Sequence, residues 1–161
     1  MPFVAANPSP ATTEASIDPG AFWPAIVPGL MRDQMRIDGT IPAPRLRSAL
    51  IEAAASVNGE LASWRQSRQD AGRVALEDVP AEEVDGTSIL VHRYLRAVGC
   101  LAKASLLERL GDYDATGKAM STSQAADKAA ALNAHVDDLQ RDARHAIAAI
   151  QGRSGSVVEL I

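Results

Sequence analysis

The stretch Gly86–Gly111, GTSILVHRYLRAVGCLAKASLLERLG, decides the fold. Within it Val91, Leu95, Val98, Ala102, Leu106 and Leu110 recur at intervals of three and four, and Leu90, Tyr94 and Leu101 widen the stripe. That spacing is the period of an α-helix. A helix apolar over so much of its circumference belongs in the middle of a bundle. Thr87 or Ser88 supplies the N-cap, because a short hydroxyl side chain can accept a bond from an otherwise unpartnered N–H of the first turn. Gly111 and the DYDATGKAM stretch behind it are expected to end the helix.

Working outward, the segment upstream carries a second stripe: Leu46, Leu50, Ala53, Val57, Leu61 and Trp64. It predicts one helix from Arg45 to about Gln69, stopped at Gly72, with Arg45, Arg47, Arg65 and Arg68 largely off the apolar face. Thr40, Pro42 and Pro44 suit its first turn, where missing N–H groups cost nothing. Between the two stripes, VALEDVPAEEVD (Val74–Asp85) holds a proline and five acids and reads as a loop with one helical turn. Downstream, Ser121 or Ser123 caps a third long helix whose stripe is Leu132, Val136, Leu139, Ala143, Ile147 and Ile150; Gly152 stops it. Ahead of all three, PGLMRDQMR (Pro28–Arg36) is a short helix begun on a proline, and Ile37-Asp38-Gly39 turns the chain. The fold class is therefore all-α: a bundle of three long helices plus one short one over residues 28–152, an extended N-terminal arm at 1–27 and a strand-like tail at 153–161.

Composition agrees. The 161 residues are 47% apolar yet only 4% aromatic, with abundant alanine, which favours helix over strand. Acids outnumber bases 20 to 16, for a net charge of −4, and no segment is polybasic. Neutralising nucleic-acid phosphates is thus not the chain's main business. A lone cysteine, Cys100, rules out an intrachain disulfide and a cysteine-only zinc site; set in an apolar helical run, it reads as a small core residue. The opening MPFVAANPSP lacks the basic residues and apolar core of a signal peptide, and no apolar run approaches the roughly 20 residues of a membrane span. A soluble chain folding in a reducing compartment is expected.

The two ends are unusual. Residues 1–27 hold five of the nine prolines and three of the six aromatics: Phe3, Phe22 and Trp23. Proline keeps the segment extended, but a free linker has no use for such side chains. Phe22 and Trp23 are expected to anchor the arm, either on the chain's own core or on a neighbouring subunit. At the other end Ser156, Val157, Val158, Glu159, Leu160 and Ile161 have strand propensity and follow a glycine. A lone strand has no sheet to satisfy its backbone, so it either pairs with another chain or folds back on its own bundle.

Catalytic and metal motifs return little. His92, His135 and His145 form no ligand spacing, and no HExxH, GxSxG, phosphate loop or GxGxxG is present. Asp112, Asp114, Thr116 and Gly117 resemble the opening of a calcium loop, but its twelfth position is Ser123 where a bidentate glutamate is needed; a helix-terminating loop is the reading that fits. Glu82-Glu83 and Asp137-Asp138 are solvated pairs without acid–base partners. No catalytic residue, metal ligand or cofactor is assigned, and the chain is read as a non-enzyme.

Four phrases in order then become informative together: FWPAIVPGLMRDQMRIDGTIPAPRLRSALIEAAASVNGELASWR from Phe22, LEDVPAEEVDG from Leu76, AKASLLERLGDYDATG from Ala102 and RDARHAIAAIQGRSGSVVELI from Arg141. From about Phe22 to Ile161 the chain closely resembles the head completion/stabilisation proteins of P2-like tailed bacteriophages. The resemblance implies a helical adaptor of the head–tail connector, located in the virion at the head–tail junction and in the host cytoplasm during assembly. It implies a twelve-fold ring of copies beneath the portal protein after DNA packaging, extending the channel and retaining the genome. Packaged double-stranded DNA would pass through without sequence-specific binding, a stopper or tail-joining protein would follow below, and no membrane would be involved. In that setting Ser156 to Ile161 becomes the portal-binding tail. An unrelated cytosolic helical scaffold is the alternative, with the same helices and no portal partner.

Overall fold

The computed structural model describes residues 14–115 and 122–153. The chain is mostly helical: α1 (Pro28–Gln34), α2 (Ala43–Glu60), α3 (Ala62–Asp70), α4 (Ile89–Ala115) and α5 (Thr122–Ile150), with β1 (Glu83–Val84) and β2 (Thr87–Ser88) as a two-stranded antiparallel ribbon. Helix α4 is the middle of the bundle, packed along α5 on one side and α2 on the other. Its stripe is inside as expected: Leu90, Val91, Tyr94, Val98, Ala102 and Leu106 are buried. Leu46, Leu50, Ala53, Val57 and Leu61 face it from α2, and Ala146, Ile147 and Ile150 from α5. A smaller apolar layer of Cys100, Ala104, Val136, Leu139 and Ala143 joins α4 to α5 farther along.

The helix ends follow local chemistry. Ser88 starts α4, its Oγ accepting from the Leu90 N–H at 3.3 Å. At the end of α5, Gly152 (φ +73°) donates to the Ala149 carbonyl and Arg153 to the Ala148 carbonyl; this left-handed closure satisfies two carbonyls that the helix leaves open. The same pair of bonds closes α1, but there the left-handed position is Arg36 (φ +49°), a residue that bears a steric cost glycine would not.

Three expectations need correction. The predicted helix from Arg45 to Gln69 is two helices, because the backbone departs from helical angles at Leu61 (φ −92°, ψ 2°). The apolar period runs straight across that residue, so spacing alone could not reveal the bend. Leu61 stays fully buried, and beyond the bend Trp64 lies 6.3 Å from Phe22, edge to face. Second, α4 does not end at Gly111: Asp112 to Ala115 are helical, so the backbone there is not a helix-terminating loop, and the remainder of the DYDATGKAM stretch falls outside the described residues. One glycine inside a helix costs only about 1 kcal/mol relative to alanine, which does not by itself end a helix. Third, Val74–Asp85 is more ordered than a loop with one turn. Leu76–Asp78 makes that 3-10 turn, but Asp85 (φ +53°) and Gly86 (φ +69°) then form a two-residue turn pairing Val84 with Thr87 and Glu83 with Ser88. Two left-handed residues in succession are what a tight hairpin requires, and Asp-Gly is among the best pairs for it.

Candidate assembly surfaces

The segment before α1 is a strap. Ile17 and Ile26 exchange both backbone hydrogen bonds, at 2.8 and 2.9 Å, closing a loop that carries Phe22 and Trp23 on its tip. On the way in, the strap crosses α2: Arg47 donates to the Ala15 carbonyl at 2.7 Å and Asn58 to the Pro19 carbonyl at 2.9 Å. Glu14 meets Arg32 of α1 at 3.4 Å. At the tip the Phe22 carbonyl accepts from the Leu76 N–H at 2.8 Å.

Both aromatics go into the chain's own core. Phe22 keeps 3% of its surface exposed and Trp23 5%. Trp23 stacks on Tyr94 of α4 with ring centres 4.7 Å apart and planes 8° from parallel, while Phe22 meets Trp23 edge-on at 5.0 Å. Behind them the Tyr94 hydroxyl donates to Asn58 Oδ1 at 2.9 Å, so one asparagine ties α4, α2 and the strap together. Burial pushes the Tyr94 phenol well above its ordinary value of 10.0, and the Asn58 bond only partly offsets that. The folded form therefore holds its proton more tightly than the unfolded form. The resulting stabilisation is complete below pH 10 and is lost as pH rises above it. Tyr94→Phe should cost about 1 kcal/mol at neutral pH, because Asn58 Oδ1 loses its donor, and should flatten the decline in stability above pH 10; denaturant melts at a series of pH values measure both.

The other groups singled out in the sequence do not converge. His92, His135 and His145 are exposed; His92 Nε2 lies 3.0 Å from the Val84 carbonyl, and the other two lie along α5. Cys100 is buried, and burial with the nearby Asp142 carboxylate pushes its thiol up, away from reactive thiolate. Among the described residues no three His, Cys, Asp or Glu side chains are grouped to hold a metal, and no helix is long and apolar enough to cross a membrane. Ser156, Val157, Val158, Glu159, Leu160 and Ile161 lie outside the described residues. The chain runs toward them from Arg153, at the end of the bundle where Gln151 donates to the Glu60 carbonyl at 3.2 Å and Arg93 to the Ala149 carbonyl at 3.2 Å.

What the geometry offers is surface: among the described residues no polar or charged residue is buried as a whole, and the charged side chains lie mainly on the outside of a helical body. The family model for phage head completion protein (GPL) matches residues 17–161. The chain belongs to that family. This phage head completion family member is also 40% identical over 154 residues to the "Head completion/stabilization protein" of Escherichia phage P2, an alignment spanning 96% of this chain and 88% of the relative. No solved structure matches the chain. The matched residues begin at Ile17, the first residue of the strap's closing pair. The strap therefore lies within the matched region, together with the helices.

Two features of these surfaces escaped the sequence reading. One is Gly99, where α4 lets Met31 of α1 and Met35 at that helix's C-cap approach closely; a glycine inside a helical stripe was its signal. The other is α3, whose nine residues include none that is buried.

Proposed function

We propose that this chain is a wedge of the ring that completes the phage head, binding the portal above and a stopper or tail-joining protein below. Membership of the head completion family carries the reading. Copies pack side by side through helix faces, each contact using two different surfaces of the chain, and the ring closes because the rotation between neighbours closes at twelve. Phe22 and Trp23 serve this from within, making the strap part of the wedge and keeping the body stiff. Ser156 to Ile161 dock on the portal. Main-chain hydrogen bonds there give affinity, and either Val158 and Leu160 or Val157 and Ile161 fill alternate pockets. Many weak contacts made together hold the ring, so no single one has to be tight. Packaged DNA is threaded through the assembled channel.

The test is to mix the chain with its portal ring and image the product by electron microscopy, with and without Ser156–Ile161. The full chain should add a layer beneath the portal. The truncated chain should fold with an unchanged melting temperature and leave the portal bare. Equal occupancy by the truncated chain would remove the tail from the mechanism.

A further inference from the structure

Helix α3 leaves most of its surface open to solvent. Helix α3 is nine residues long, and no residue of it is buried. Isolated helices that short are marginal in water, and this one rests on the rest of the chain only through half-buried Trp64 and Arg65. The exposed bases of α3 and the turn behind it are Arg68 and Arg73, while Arg65 is half-buried with its Nε out of solvent. Residues 62–73 contain Arg65, Arg68 and Arg73 against the single acid Asp70, whose carboxylate already accepts from Gln66 at 2.8 Å. Arg68 lies over the Trp64 ring, 5.3 Å from its centre. The next twelve residues are the reverse: Glu77, Asp78, Glu82, Glu83 and Asp85, with no base, and all five exposed. Between the two charged stretches stands Val74, 76% exposed, and the acidic side also carries Val84 at 46%.

The ion pairs among the described residues are Arg32–Glu14, Arg96–Asp142 and Arg141–Asp138. None involves these three arginines or five acids, although both sets sit in the same stretch of chain. We infer that α3 of one copy packs against the acidic loop, residues 77–85, of a second copy, with Val74 and Val84 as the apolar centre of the contact. Opposite charge steers the two surfaces together and sets their register. Each exposed ion pair contributes little alone, so the contact is weak between two free copies and becomes effective when repeated around a ring. The inference rests on the reading of the chain as a self-assembling wedge, but its test needs no portal and so fails separately from portal docking.

Two charge-reversed variants of the full chain provide the test. The first carries Arg68→Glu and Arg73→Glu; the second carries Glu77→Lys, Glu82→Lys and Glu83→Lys. All five side chains are exposed, and circular dichroism checks that both variants fold. The native chain at about 1 mM protein should self-associate in about 10 mM salt, where charges act over roughly 30 Å, and lose that association in concentrated salt. Each variant alone should associate about tenfold more weakly or worse, since its two surfaces now repel. An equimolar mixture of the two should recover association, because each supplies the charge the other lacks. Amide chemical shifts of the native chain should change with concentration at residues 62–88 and nowhere else. Native association absent at about 1 mM, shifts mapping to another face, variants that associate like the native chain, or a mixture that fails to recover would each overturn the inference.

Discussion

Trp23→Ala is expected to lower the stability of the chain by about 3–5 kcal/mol, the cost typical of truncating a buried large aromatic. Two things place the loss in that range, although the indole N–H is buried without a partner among the described residues and its removal offsets part of the cost. The indole lies 5% exposed between Phe22 and Tyr94, stacked on one and edge-on to the other, so removing it strips partners from both rings. Tyr94 is fully buried and would line the resulting cavity. Against a total stability of about 5–15 kcal/mol for a domain this size, the loss leaves a chain near its threshold. Denaturant titration followed by far-ultraviolet circular dichroism measures it, and hydrogen exchange should show residues 17–26 opening first. A loss below about 1 kcal/mol would mean that the strap contributes little to the native fold. Trp23→Phe should retain much of the stability, since a smaller ring can still stack on Tyr94.

Gly99→Leu is the second large effect, and its origin is crowding. A Cβ at this position would lie 3.0 Å from both Cγ and Sδ of Met35 and 3.5 Å from Sδ of Met31. For alanine the opposing contributions nearly cancel. Replacing glycine inside a helix is worth about 1 kcal/mol, and methionine, being unbranched and flexible, can move aside. Leucine adds a branched group to a seam that has no room for it, so α1 must lift from α4 at an overpacking cost of about 1–3 kcal/mol or more. The expected pattern is therefore a near-neutral Gly99→Ala and a clearly destabilised Gly99→Leu, read from the denaturant midpoints of the two variants. Equal, large losses for both would instead implicate the backbone at Gly99. Leu30 of α1 and Val27 at its N-cap are exposed, and a lifted α1 would present them differently.

The stripes on α4, α2 and α5, the cap at Ser88 and the stop at Gly152 were legible because each is a local matter of spacing or of one side chain meeting the nearest backbone groups. Helix type, order and buried faces followed from them. The likeness to the head completion family was legible because several short phrases stand in a fixed order along most of the chain. The Asp85-Gly86 turn was present as a dipeptide signal but lay in an acidic stretch that read as loop. The bend at Leu61 left no mark at all, since the apolar period continues through it and the break in dihedral angle shows only in three dimensions.

The destination of Phe22 and Trp23 was of another kind. Composition required that these rings be covered, and it offered a neighbour's surface as readily as the chain's own. The choice depended on Tyr94, some 70 residues later in the chain, presenting a flat face where α2, α4 and the turn at Leu76 leave a gap of the right shape. The pattern of apolar residues by itself determined that this protein is a helical body with α4 at its centre, because burial of a stripe is a property of nearby residues on one helix. Only the tertiary structure decided that the strap belongs to that body, that α1 seats on Gly99 and that α3 remains uncovered, because those depend on which surfaces meet once distant segments are brought together.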